Sequence, residues 1–169
     1  MEEPFLYGGI IMFKRILILI PALLLAGCQS GGTSADKLEV TFSSTARIEE
    51  KGVTAVLERA EGSGWNITFS EPSTINGMQL AYLADGKCTL RFEGHAALYD
   101  RSQLPQGGVF DLVTAAADMC IEDKGVSTLN DGKETVRTGT VRGVGFTARS
   151  SGGKLTEIEL NGGDKIIFS

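Results

Sequence analysis

Leu38-Glu39-Val40-Thr41-Phe42-Ser43-Ser44-Thr45-Ala46-Arg47-Ile48 is the longest clean alternation of apolar and polar residues in the chain. Leu38, Val40, Phe42, Ala46 and Ile48 fall on one side, with Glu39, Thr41, Ser43, Arg47 and Glu49 on the other. This is the period-two signature of a strand with one buried and one wet face. The same period keeps returning. After the Lys51-Gly52 turn, Val53 to Ala60 reads as a second strand, and Glu61-Gly62-Ser63-Gly64 turns the chain into Trp65-Asn66-Ile67-Thr68-Phe69. There Trp65, Ile67 and Phe69 share a face. Pro72 to Gly77 reads as a short helical turn closed by glycine. Met78, Leu80 and Tyr82 form the apolar face of the next strand, Asp85-Gly86 is a two-residue hairpin signal, and Cys88, Leu90 and Phe92 carry the face onto the partner strand.

The middle of the chain breaks the pattern. Gly94 to Gly108 loses the alternation, and Leu104-Pro105 with Gly107-Gly108 marks an irregular stretch before a helix at Val109 to Glu122. On that helix Asp111, Thr114, Asp118 and Glu122 fall three and four apart as one narrow polar stripe, while Phe110, Leu112, Val113, Ala116, Ala117, Met119 and Cys120 cover the rest of its circumference. So apolar a helix has to be embedded. Beyond Asp123-Lys124-Gly125, with Asn130-Asp131-Gly132 opening the last stretch, four strands are expected at Glu134 to Val141, Val144 to Ala148, Leu155 to Leu160 and Lys165 to Phe168. Runs of strands around one helix, without β-α alternation, predict an α+β fold with an antiparallel sheet.

The start of the chain has a different chemistry. Met12-Phe13-Lys14-Arg15 precedes an apolar run from Ile16 to Ala26, broken only by Pro21, and then Gly27-Cys28. A basic start, a short apolar middle and small residues at the cut make a signal peptide, with a run too short to span a ~30 Å hydrocarbon core. Glu2 and Glu3 put acid where such a signal is basic, which favours Met12 as its true start. Residues 1–27 are thus read as a removed signal, 28–36 as a Gly/Ser/Thr-rich flexible tether, and 37–169 as a single domain.

Composition excludes several function classes. The 21 acidic and 16 basic residues give a net charge of −5, against the clustered Lys and Arg that a nucleic-acid surface needs. One histidine and three cysteines leave little for a metal site, and neither a metal nor a cofactor is expected. His95 stands beside Gly94 with no serine or cysteine motif around it, and reads as a surface or structural histidine. Gly139, Gly143 and Gly145 lie among strand residues with no following helix, so they read as turn or bulge glycines and not as a phosphate loop. Asn66-Ile67-Thr68 matches a glycosylation sequon, but the asparagine is needed only as an exposed strand residue. Cys88, on an apolar strand face, and Cys120, near the helix end, are both expected inside; they are either a disulfide permitted by export or two buried thiols. No residue set names a reaction, and the chain is expected to be no enzyme.

Leu25-Ala26-Gly27-Cys28 resembles the lipobox of bacterial lipoproteins, which implies diacylation of Cys28 and anchoring to the outer face of the cell membrane. The order of lipobox, tether, long first strand, Gly-x-Trp in the third strand, Pro72 leading to Ile75-Asn76-Gly77, the Asp-Gly hairpin, the apolar helix after Leu104-Pro105 and the closing Gly-rich strands resembles the LolA/LolB-like superfamily, in particular its small Gram-positive lipoproteins. That resemblance implies a strongly curved antiparallel half-barrel with the helix packed in its concave face, and a hollow that in better understood members receives acyl chains or a lipidated partner. Phe42, Trp65, Ile67, Phe69, Leu80, Tyr82, Leu90 and Phe92 are the candidate lining of such a hollow. Two readings stand side by side: a lipid or other apolar ligand in the hollow, or a filled core in a module that binds an envelope protein partner.

Overall fold

The structure is a computed structural model in which the described residues are 36–60, 64–103 and 108–169. The signal, Cys28 and the tether up to Gly-Gly-Thr-Ser-Ala35 lie outside them, as does Leu104-Pro105. Six strands come first: β1 (Phe42–Ile48), β2 (Val53–Arg59), β3 (Trp65–Glu71), β4 (Gln79–Tyr82), β5 (Lys87–Phe92) and β6 (His95–Asp100). The helix α1 (Val109–Ile121) follows, then β7 (Val126–Asn130), β8 (Thr135–Val141), β9 (Val144–Ser151), β10 (Lys154–Leu160) and β11 (Lys165–Phe168). All eleven strands form one open antiparallel sheet in the order β6-β5-β4-β3-β2-β1-β11-β10-β9-β8-β7. Two meanders therefore meet where the first strand pairs with the last, Ala46 opposite Phe168 and Ile48 opposite Ile166. The helix connects the strands at the two outer edges.

The alternation explains one face of this sheet. Ile48, Leu57, Ile67, Ile158 and Ile166 are fully buried, on the face that also receives Val113 of α1. The helix backbone lies close against β8, β9 and β10. Its stripe of small and branched residues, Val113, Ala116, Ala117 and Cys120, is buried and admits that close approach. Gly139 in β8 serves the same packing: a Cβ there would stand 2.9 Å from the Phe146 ring.

The sheet curls around the helix. Arg101, directly after β6, and Arg142, in the β8–β9 turn, both pair with the one carboxylate of Asp111. In a flat sheet β6 and β9 would stand eight spacings apart, about 38 Å at the usual strand separation. Two side chains meeting on one carboxylate cannot bridge that distance, so the sheet has to bend toward α1.

Several expectations need correction. The first strand begins at Phe42; Leu38 is buried just before it, but Val40 is 40% exposed, with its carbonyl accepting from Arg59 Nη1 at 2.7 Å. Asp85-Gly86 is half of a four-residue connection from Leu83 to Gly86, in which the Asp85 side chain accepts from the Lys87 amide at 3.1 Å. Glu93-Gly94, where an irregular stretch was expected to begin, is a tight turn with φ of 48° and 80°, and it opens a strand, β6. Gly94 takes that left-handed conformation without a Cβ penalty. β7 is likewise a strand the alternation did not announce. Both are edge strands, exposed over most of their length, so no burial pattern marks them in the sequence. The helix ends at Ile121, one residue before the expected Glu122.

Candidate functional site

The polar stripe of α1 faces arginines. Asp111 is only 6% exposed; its Oδ1 accepts from Arg101 Nε at 2.9 Å and Nη2 at 2.8 Å, and its Oδ2 pairs with Arg142. Thr114 is fully buried, and its hydroxyl bonds back to the Phe110 carbonyl at 2.9 Å. Asp118 accepts from Arg59 Nε at 2.8 Å and from Trp65 Nε1 at 3.1 Å. Glu122, just past the helix, is exposed. Asp111, nearly buried, and Asp118, partly exposed, are thus paired from β2, β3, the residue after β6 and the β8–β9 turn. Arg59, Arg101 and Arg142 were missed in the sequence. Their signal was there, since two acids on an otherwise apolar embedded helix demand cationic partners.

The candidate lining residues divide. Trp65, Ile67, Phe69 and Tyr82 are buried at 7% exposure or less. Phe69 meets the Phe110 ring edge-on at 5.2 Å, and Arg101 stacks 4.3 Å above the Tyr82 ring. Burial first, then the neighbouring Cys88, raises the Tyr82 hydroxyl to about 12. Phe42, Leu80, Leu90 and Phe92 are half-buried. Register puts Ile67, Leu80, Leu90 and Ala97 opposite one another across β3 to β6, so Leu80 and Leu90 share the inner face with the buried group.

Of the eight, Phe42 borders a hollow that Ile121 of α1 also lines. It lies with Leu38, Ile121, Leu155 and Phe168 around a space of about 280 Å³, open to solvent, with Ser44, Glu39 and Lys154 at its mouth. Phe42 packs edge-on to both Trp65 and Phe168 at 5.5 Å, so this hollow adjoins the covered aromatic group. Its wall includes the entering segment of the chain. Arg137, 3% exposed, holds that segment by donating from Nη2 to the Asp36 carbonyl at 2.6 Å and from Nη1 to Ser150 Oγ at 2.9 Å. Glu39 N–H donates to the Gly153 carbonyl at 3.0 Å. Leu38, Ile121, Leu155 and Phe168 were not singled out as lining, because residues from the two ends of the chain and the helix meet here only through the topology.

Cys88 and Cys120 are buried free thiols. Cys88 has Arg101 as its charged neighbour, whereas Cys120 has Arg137 and Asp123, so the two lie beside different parts of the sheet and no disulfide joins them. Burial raises both thiols, Cys120 to about 12, which keeps them protonated and unreactive at neutral pH. His95 is exposed at the start of β6. Gly143 forms the β8–β9 turn with Arg142, while Gly145 lies in β9 against Asn161. Asn66 is exposed on β3. Among the described residues no group of three or more His, Cys, Asp or Glu could hold a metal, and no helix is long and apolar enough to cross a membrane. No protein-family model and no curated protein matches the chain.

Proposed function

We propose that the protein is a lipid-anchored, non-enzymatic protein of the bacterial cell envelope, exported and held to the outer face of the cell membrane through Cys28, whose LolA/LolB-like half-barrel takes an apolar ligand at its rim. The lipobox at Leu25 to Cys28 supports the anchor, and the curl of the sheet around α1 agrees with a half-barrel whose concave face holds the helix. The observation that carries the ligand reading is the hollow between Leu38, Phe42, Ile121, Leu155 and Phe168. At about 280 Å³ it falls just under the usual ~300–1,000 Å³ of ligand pockets, and suits one chain of an amphiphile better than a two-chain lipid. Its polar mouth leaves a head group in water.

A specific observation also favours the second reading, an envelope-protein interaction module: Trp65, Ile67, Phe69 and Tyr82 are already covered, so the deep interior is core. Native mass spectrometry of protein purified from a lipid-containing host separates the two. The ligand reading expects a co-purified single-chain lipid, lost in Leu155→Trp, and a melting temperature that rises with added fatty acid. A bare mass and an unmoved melting temperature overturn it and leave the interaction module. The anchor is tested separately: Cys28→Ser should abolish labelling by a fatty-acid analogue, and persistent labelling would sink it.

A further inference from the structure

We propose that the outer face of β2 to β5 binds a short zwitterionic peptide, its cationic end at Glu58 and its carboxylate at Arg91. The face is opposite to the one that carries α1, so the proposal does not depend on the rim hollow. Register sets two rows of side chains there. Glu58, Asn66, Ala81 and Thr89 stand in one row across the four strands, and Thr68, Gln79 and Arg91 in the next. These rows enclose a trough of about 360 Å³. Its cause is legible: Ala81 is the smallest side chain in the centre, and longer ones surround it.

Three features give the ligand its chemistry. First, no hydrogen bond or ion pair within the protein occupies the side chains of Glu58, Asn66, Thr68, Gln79, Thr89 or Arg91 among the described residues. Lys165 and Arg149, on β11 and β9, by contrast both pair with Glu157. Second, the two charges have opposite sign and stand diagonally apart. Three strand spacings of about 4.8 Å and a two-residue offset of about 6.8 Å separate their positions by roughly 16 Å. That equals the span of four to five extended residues at ~3.4 Å each. Third, Asn66 and Gln79 lie between the charges and present both amide donors and acceptors, the complement of a peptide backbone. Arg91 suits a carboxylate because its guanidinium can donate two parallel hydrogen bonds. A uniformly charged polymer would meet repulsion at one end. No aromatic side chain lines the trough on which a sugar ring would stack.

Amide-resolved NMR titration of the purified protein tests this with the tetrapeptide Lys-Ala-Gly-Ala, its C-terminal amide, its norleucine analogue, and chitotetraose. The free tetrapeptide is expected to shift the amides of Gln79, Ala81 and Thr89, and to bind about tenfold more tightly than its C-terminal amide. Arg91→Gln should erase that tenfold difference, and Glu58→Gln should erase the preference for lysine over norleucine. Ala81→Leu should remove binding while leaving the rest of the amide spectrum in place. Absence of shifts at millimolar peptide, shifts confined to another surface, a carboxylate preference that survives Arg91→Gln, or a response to chitotetraose in place of the peptide would each overturn the proposal.

Discussion

The helix meets the two wings of the sheet in different ways. Toward β8, β9 and β10 it comes close through small buried residues, with Val113, Ala116, Ala117 and Cys120 on one stripe. Toward β2, β3 and the end of β6 it reaches across with rings and charges: Phe110 to Phe69, Asp118 to Arg59 and Trp65, Asp111 to Arg101. Close packing gains dispersion and loses water along the whole contact, whereas an ion-paired bridge only offsets the desolvation of its own charges. One wing is therefore the permanent seat of the helix, and the other is held by contacts that can be removed singly.

The largest effect is expected at the seat. Val113 is fully buried, and Val113→Asp would place an unpaired charge under the helix. We expect a loss of about 3–5 kcal/mol in urea unfolding, enough to leave much of the protein unfolded. An unchanged midpoint would mean that the helix is not seated there.

Alkaline pH probes both wings at once. Tyr82 and Cys120 have folded values near 12, above their ordinary 10.0 and 9.0. Each group holds its proton more firmly in the folded state, so its contribution is complete below the ordinary value and is lost as pH climbs toward 12. Stability should be flat up to about pH 9 and then fall by a few kcal/mol. Tyr82→Phe should lessen the bridged wing's part of that slope, with the raised thiol of Cys88 supplying the remainder, and Cys120→Ala should remove the packed wing's part. Identical profiles for all three proteins would contradict the burial of both groups.

The smallest effect belongs to the bridge itself. Asp111→Asn keeps the shape but weakens the pairs to Arg101 and Arg142, whose side chains are 26% and 36% exposed. That exposure lets water take over, so about 1–2 kcal/mol is expected, less than for a fully buried pair. Hydrogen exchange should quicken in β5 and β6 and at the β8–β9 turn, while β10 and β11 stay protected. Equal quickening across the sheet would erase the distinction between the wings.

Much of this was legible in the sequence, for reasons that particular residues make clear. The alternation of Phe42 to Ile48, of Trp65 to Phe69 and of the last four strands reports a sheet with one buried face, and the apolar circumference of Val109 to Ile121 reports an embedded helix. His95 to Asp100 and Val126 to Asn130 were illegible because an edge strand buries too little to write a pattern. Asp111 and Asp118 were legible as a stripe, but their partners Arg101, Arg142 and Arg59 are placed by the curl of the sheet, which no local window contains. The rim hollow was hidden for the same reason, since Leu38 and Phe168 come together only when the two meanders join.

That junction also governs how the molecule can be made. Ser44 donates its hydroxyl to the carbonyl of Ser169, 125 residues away, and the Thr45 and Ser169 backbones exchange two hydrogen bonds of 3.0 Å. Until the final strand emerges from the ribosome, β1 is an unpaired border, and the centre of the sheet is the last part that can zip. Linking the two ends and cutting the chain before β7 would turn the same architecture into an uninterrupted up-and-down ribbon, β7 through β11 and then β1 through β6, with the helix trailing at its end. The natural order of synthesis postpones the contact of longest range, and a circular permutant would make every pairing a neighbourly one.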